Sequence, residues 1–169
     1  MSEAKRHTIS VLVENKFGVL ARVAGLFSGR GYNICSLTVN QTHDPQVSKM
    51  TIVTVGDAAV LEQIEKQLNK LIDVIKVDDL TEGRFIEREL VLVKIRAATP
   101  EVRSQIMQLV EIFDGKIVTV RKEELGVEIS GRSDQLDNFI DLARDFGIIE
   151  TARSGRVAIA REAGVAQEY

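Results

Sequence analysis

The sequence predicts an α+β chain in which one strand-helix-strand-strand-helix-strand unit occurs twice in tandem. Three observations predict it. Short apolar runs alternate with period two, the runs between them switch to helical spacing, and the whole order restarts after a polar stretch at residues 81–84.

In the first unit, Ile9, Val11 and Val13 alternate as on a half-buried strand. After a turn at Asn15–Gly18, the residues Leu20, Val23, Ala24 and Phe27 fall at i, i+3, i+4, i+7 spacing and predict a helix closed by Gly29 and Gly31. Ile34 to Val39 and Met50 to Val55 predict two strands joined by the His43-Asp44-Pro45 turn. Asp57 is expected to cap a second helix that buries Leu61, Ile64, Leu68 and Leu71, and Val74 to Leu80 supplies the fourth strand. Thr81-Glu82-Gly83-Arg84 then marks a boundary, giving domains at residues 1–82 and 83–169.

The order begins again with Val91, Val93 and Ile95 on one strand face. Thr99-Pro100-Glu101 reads as an N-cap, an N1 proline and a first-turn acid, ahead of a helix presenting Val102, Ile106, Leu109, Val110 and Phe113. Ile117 to Val120 and Val127 to Ile129 are the middle strands. Ser133 is expected to cap a helix whose inner face is Leu136, Phe139, Ile140 and Ala143. Ile148 to Ala152 ends the unit, Arg156 to Arg161 extends it as a further strand, and Glu162 to Tyr169 reads as a frayed tail.

Two such units make two tandem ferredoxin-like domains, each a four-stranded antiparallel sheet with two helices on one face. The other face of each sheet has no helix over it. In the first unit both parities of Val11-Leu12-Val13 and Met50-Thr51-Ile52-Val53 carry apolar groups, which predicts oligomerisation through sheet faces or edges.

Composition excludes several classes. Residues 1–82 carry nine Lys/Arg against ten Asp/Glu and residues 83–169 thirteen against fifteen, so neither half has the positive excess of a phosphate-backbone binder. The strands of the first unit carry no aromatic residue on which an RNA base would stack. No apolar run approaches the roughly 20 residues that cross a bilayer, and the charged start Met1 to His7 has no apolar h-region behind it. A lone cysteine, Cys35, agrees with a reducing compartment, so the expectation is a cytoplasmic protein with neither membrane nor nucleic-acid partner.

Catalytic and metal residues are expected to be absent. His7 and His43 are the only histidines, neither has a metal-ligating companion, and both read as solvated. Paired carboxylates such as Asp78-Asp79 and Glu123-Glu124 read as solvated charge, as do Arg153 and Arg156 beside Ser154-Gly155. There is no nucleophile elbow, P-loop or strand-following glycine motif. A phosphate-cleaving enzyme on this topology needs an arginine in the first strand-to-helix loop, and that loop is Asn15-Lys16-Phe17-Gly18, with Arg22 inside the helix.

The loop itself has binding chemistry. It precedes a helix N-terminus, where backbone N–H groups lack partners and the dipole favours an anion, and Gly18 lets a ligand approach the main chain. Asn33 opens the second strand with two donors and an acceptor. A zwitterionic amino acid fits these groups, its aliphatic side chain resting on Val19, Leu20 or Ile34. The alternative is that Asn15 and Gly18 only form a turn and Asn33 only eases the chain out of the helix.

The first unit resembles an ACT domain through Gly18-Val19-Leu20 and Phe27 to Gly31-Tyr32-Asn33-Ile34. Over nearly the full chain, Gly25-Leu26-Phe27-Ser28, Ser36-Leu37-Thr38-Val39, Met50-Thr51-Ile52, the run Leu61 to Leu68, Arg88-Glu89-Leu90, Glu111-Ile112-Phe113 and Ala152-Arg153-Ser154-Gly155 resemble the small subunits of acetolactate (acetohydroxyacid) synthase. The resemblance implies a non-catalytic homodimeric subunit that stimulates a separate large catalytic subunit and confers feedback inhibition by valine or another branched-chain amino acid. It implies no cofactor in this chain, with thiamine diphosphate, magnesium and FAD on the catalytic partner. The family's effector lies between paired ACT domains, and the matching positions are Asn15 and Gly18 in the loop and Asn33 with Ile34 across the interface; Val19 and Leu20 complete the candidate set as the aliphatic contacts read above. Phe17 stands where the family often has a small residue. A free-standing ACT-type sensor of a different enzyme shares this ligand chemistry, and a purely structural sheet module lacks it.

Overall fold

The computed structural model describes residues 5–81 and 85–161. Among them, nine strands and four α-helices follow the expected order. In the first unit these are β1 (Lys5–Glu14), α1 (Val19–Gly29), β2 (Ile34–Gln41), β3 (Val47–Gly56), α2 (Ala58–Leu68) and β4 (Val74–Asp79). In the second they are β5 (Phe85–Arg96), α3 (Pro100–Ile112), β6 (Lys116–Val120), β7 (Glu124–Gly131), α4 (Ser133–Ala143) and β8 (Ile148–Arg153), with β9 (Val157–Ala160) following.

Contacts divide the chain into one unit of the residues through Ile86 plus the segment from Arg156 onward, and a second of Glu87–Gly155. The boundary residues Glu82 to Arg84 and the tail Glu162 to Tyr169 lie outside the described residues. The segment from Arg156 was expected to extend the second unit, and it belongs with the first instead. The reason is chemical: hydroxyls on the open face of the first sheet receive it, with Thr38 Oγ1 donating to the Arg156 carbonyl at 3.0 Å and Thr51 Oγ1 accepting from the Ala158 N–H at 3.4 Å. β9 also pairs with β5, whose first residues, Phe85 and Ile86, are counted in the first unit.

The first sheet has the order β2-β3-β1-β4, with β1 antiparallel to β3 and β4, and β3 antiparallel to β2. Alternation decides what each face holds. Ile9, Val11 and Val13 of β1 and Met50 and Ile52 of β3 meet Val19, Val23 and Phe27 of α1 and Ile64 and Leu68 of α2 in one core. The opposite parity carries Thr8, Ser10, Thr51 and Val53, and all four are buried too. Where the sequence predicted oligomerisation through sheet faces or edges, the chain's own late segment lies over part of this open face. Asp57 caps α2 as expected, accepting from the Val60 N–H at 2.9 Å.

The second sheet repeats the pattern in the order β6-β7-β5-β8. Val91, Val93 and Ile95 pack with Ile106, Val110, Leu136, Phe139 and Ala143, and Phe113 meets Phe139 edge-on at 5.4 Å between ring centroids. Thr99 caps α3 and Pro100 stands in its first turn, as expected. Ser133 does not cap α4. It is the first helical residue after Arg132, and its hydroxyl donates to Glu89 Oε2 at 2.9 Å.

That bond is part of a buried ionic lock. Glu89 is 6% exposed and accepts from Arg153 Nε at 2.7 Å and Nη2 at 2.9 Å, while Arg153 Nη1 donates to Asp137 at 2.6 Å. The forked pairing lets one guanidinium satisfy both carboxylate oxygens. Arg153, expected to be solvated, is instead this carboxylate's partner. Two other expectations change. His7 lies within β1 and is buried, with Nε2 on the Gly56 carbonyl at 3.0 Å, because the strand begins earlier than its apolar residues suggest. Arg156 has its guanidinium on Thr8 Oγ1 at 2.8 Å.

Burial acts to raise the Glu89 carboxyl, but hydrogen bonds from Arg153 and Ser133 and the Arg153 charge outweigh it and hold the group below its ordinary range. A depressed carboxylate stabilises the fold above its unfolded pKa of about 4.3, and this stability disappears as pH falls through the lower folded value. Urea denaturation followed by circular dichroism therefore shows the native chain weakening below about pH 4. Glu89→Gln is less stable at pH 7 by about 2 kcal/mol, the value of a buried pair discounted for the partial exposure of Arg153, and loses less on acidification.

Candidate functional site

The turn after β1 is built from both neighbouring loops. Asn15 Nδ2 donates to the Pro45 carbonyl at 2.9 Å, and the Asn15 N–H donates to Gln46 at 2.7 Å, so the β2–β3 hairpin holds this residue on both sides. With its nitrogen engaged, Asn15 Oδ1 remains as an acceptor without a partner among the described residues. Gly18 has φ +80°, in the left-handed region, and a Cβ there would stand 3.1 Å from Arg22 Nη1. Arg22 turns back over the glycine to pair with Asp73 at 2.6 and 2.9 Å, and the Asp73 carbonyl accepts from the Glu14 N–H at 2.9 Å. Asp73 thus ties the start of α1 to the end of β1.

The start of α1 is electrically unoccupied. Of the four α-helices among the described residues, α2 and α3 have capping side chains and α4 has Asp134 in its first turn. α1 has neither a side-chain cap nor a first-turn acid, and the Val19 N–H reaches only Lys16 O at 3.4 Å. Its N–H groups and dipole make this the helix start most favourable to an anion.

Asn33 and Ile34 lie elsewhere in the fold. Ile34 opens β2 opposite Thr54 of β3, whereas Glu14, next to Asn15, is opposite Val47 at the other end of the same strand. Seven residues of β3 separate the two positions, about 23 Å at 3.3 Å per residue. One chain therefore does not bring Asn15 and Asn33 into a common pocket. Asn33 is exposed, with Nδ2 3.9 Å from Cys35 Sγ and its carbonyl accepting from Thr54 Oγ1 at 2.7 Å. Ile34 is half-buried against the core.

The apolar candidates divide as well. Val19 is 4% exposed and turned into the core, so only its backbone can meet a ligand, whereas Leu20 is 44% exposed. Phe17 is fully exposed, and so is Ile72, next to Asp73. The Arg22–Asp73 tie and the Asn15–Pro45 bond were missed by sequence reasoning, since no local spacing announces pairs 51 and 30 residues apart. A groove of about 600 Å³ between α1 and α2, lined by Arg22, Gly25, Arg30 and Lys70 among others, contains none of the six candidates. Among the described residues no cluster of ligating side chains is placed to hold a metal, and no helix is long and apolar enough to cross a membrane.

Fold and site together define a two-unit ACT-type protein. The family model of the small-subunit-like ACT domain of acetohydroxyacid synthase matches residues 9–76, and that of the small subunit of acetolactate synthase matches residues 88–162. The chain belongs to the acetolactate synthase small-subunit family. It is 52% identical over 159 residues to the probable acetolactate synthase small subunit of Methanothermobacter thermautotrophicus, covering 94% of this chain and 95% of that one. It is also 52% identical over 157 residues to the isozyme 3 small subunit of Escherichia coli, covering 92% and 96%. The crystal structure of the small subunit from Thermotoga maritima superposes with a TM-score of 0.83 at 42% identity, covering 95% of this chain and 99% of that one.

Gly18→Ala forces a Cβ into the left-handed region and against Arg22. It lowers stability by about 1–2 kcal/mol, read as a shift of the urea midpoint, while Gly25→Ala, with nothing within 4 Å of the added Cβ, does not destabilise.

Proposed function

We propose that this chain is the regulatory subunit of acetolactate synthase, stimulating a large catalytic subunit and making it responsive to valine or a related branched-chain amino acid. The large subunit supplies the chemistry, with thiamine diphosphate, magnesium and FAD bound there, and this chain supplies control. A cytoplasmic location goes with that role.

One observation carries the effector reading: the two halves of the candidate site sit at opposite ends of one sheet whose edge strand is β2. Two copies related by a two-fold axis and joined through antiparallel β2 edges bring Asn33 and Ile34 of one to the Asn15–Gly18 end of the other. α1 starts at that end, and a right-handed crossover from β1 to β2 carries it over the β2 side of the sheet. The composite site then offers N–H groups of α1 to a carboxylate, the oxygens of Asn15 and Asn33 to an ammonium, and Leu20 and Ile34 to an aliphatic side chain. A homodimer is thus part of the site and not an accessory to it.

Control follows from linkage. An amino acid that bridges two copies stabilises one arrangement of the pair, and a catalytic subunit that prefers another loses stimulation. A coupling of about 1–3 kcal/mol gives roughly 5–150-fold effects.

Calorimetric titration with valine, leucine, isoleucine and glycine tests the reading. Saturable binding of valine without binding of glycine is expected, and failure of every branched-chain amino acid to bind, alone and with the catalytic subunit present, removes it. Asn33→Ala weakens valine binding by at least roughly tenfold, the loss of a charge-assisted hydrogen bond, while stimulation of the catalytic subunit persists.

A further inference from the structure

The chain segment after Gly155 crosses the face of the first sheet that α1 and α2 leave open. The Arg156 N–H donates to Ser36 Oγ at 3.3 Å, and its carbonyl accepts from Thr38 Oγ1 at 3.0 Å, so β2 holds both of its backbone polar groups. Its guanidinium donates to Thr8 Oγ1 of β1 at 2.8 Å. Two residues further, the Ala158 N–H reaches Thr51 Oγ1 of β3 at 3.4 Å. In the order β2-β3-β1, Arg156 therefore straddles an entire strand, about 10 Å across two interstrand spacings. Thr8, Thr51 and Ala158 are 2%, 3% and 4% exposed, while Arg156, Ser36 and Thr38 are half-buried, so the Ala158–Thr51 bond is enclosed and the Arg156 bonds lie at the margin of the covered face.

The strands so joined are the two that carry the polar residues of the candidate site. β1 leads directly into Asn15. On β2 the pairing register shifts between Ile34 and Ser36, an irregularity that separates Asn33 and Ile34 from the regularly paired body of the strand. Such a step bends a strand and loosens its ladder locally. Ser36 and Thr38, the residues that hold Arg156, are the first outward-facing hydroxyls beyond it. Within its own chain β2 is an edge strand bonded to β3 alone, and in the proposed pair its other side meets the partner's β2, so its placement against its own sheet rests on β3 and on the segment from Arg156.

We propose that Arg156 is a positioning residue for the amino-acid response: it fixes β2 against β1 across β3 and so presents Asn33 and Ile34 in their binding geometry. This rests on the effector reading given above. The Arg156 hydrogen bonds described above go to Ser36, Thr38 and Thr8, none of them a candidate effector residue. It acts by pre-organisation: an edge already held in place loses little freedom when ligand binds, whereas a released edge must be ordered at the expense of affinity.

The test uses the full chain as Arg156→Met, Arg156→Lys, Thr8→Val and the Arg156→Met/Thr8→Val double variant, read by valine calorimetry and by amide hydrogen exchange. Arg156→Met is expected to weaken valine binding roughly tenfold, the scale of one net hydrogen bond, and to speed exchange of the β2 amides bonded to β3 by a similar factor. Exchange in β4 and α2 stays as it was, which a general loss of structure does not allow. Arg156→Lys keeps a donor able to reach Thr8 and restores binding to within about twofold of the native chain. The double variant is no weaker than Arg156→Met, because both changes break one contact. If Arg156→Met does not fold, Thr8→Val removes the same hydrogen bond with little change of shape and decides the matter. Unchanged exchange in β2 overturns the proposal, as does faster β2 exchange with undiminished valine affinity. If the native chain binds no amino acid, the effector reading fails and takes the response role with it, while β2 exchange still reports whether the bridge exists.

Discussion

A helix that joins two parallel strands must carry the chain back along the length of the sheet. In the first unit β2 runs parallel to β1, with β3 between them, so α1 begins at one end of the sheet and β2 begins at the other. This connection separates Asn15 from Asn33 by the length of β3. It also decides what one subunit can do: it presents an anion-seeking helix start at one end and an asparagine at the other, and neither is a whole site. In the proposed effector reading the site is completed only by a second copy, since a two-fold operation exchanges the ends of the sheet.

Much of this was legible in the sequence because it is encoded locally. Period-two alternation at Ile9, Val11 and Val13, the helix read from Leu20 to Phe27, and the caps at Asp57 and Thr99 depend on neighbours within a few residues, and the structure has these elements there, although the buried stripe of α1 begins at Val19 and leaves Leu20 exposed. What failed to show was long-range and polar. Ser133 has the composition of a cap, yet Glu89, 44 positions away, takes its hydroxyl. His7 reads as surface because it precedes the apolar run, yet Gly56 pairs with the start of β1 and buries it. Arg153 and Arg156 read as solvated charge, since their partners Glu89, Asp137 and Thr8 lie far away in the sequence. Val19, grouped with Leu20 as a ligand contact, faces the core because it lies one helical turn before Val23 on the buried stripe.

The two arginines near the end of the chain solve different problems of burial. Arg153 neutralises a carboxylate that the second unit encloses, and a carboxylate so enclosed is costly without its partner. Arg156 brings its charge to the edge of a layer of hydroxyls, where threonine and serine oxygens replace water for a main chain that joins the sheet face and not its edge. Serine and threonine suit a surface of this kind because each hydroxyl both donates and accepts. The open face of the first sheet is therefore neither a plain apolar surface nor a solvated one. It carries a crossing strand in which the small residue Ala158 is buried, with its N–H on Thr51 Oγ1.

The membership of β9 in the first unit has a consequence for how the protein is made. Synthesis proceeds from the N-terminus, and domains commonly fold as they emerge. Here β1 to β4 emerge early, but the strand that covers their hydroxyl-bearing face is encoded after the whole of the second unit. On the ribosome the first unit therefore waits, with Thr8, Ser36 and Thr51 unprotected, until the whole of the second unit has been translated. A message broken after codon 34 and before codon 156 yields a product that carries every candidate effector residue but lacks the closing strand, a difference that a protease in the cell can read.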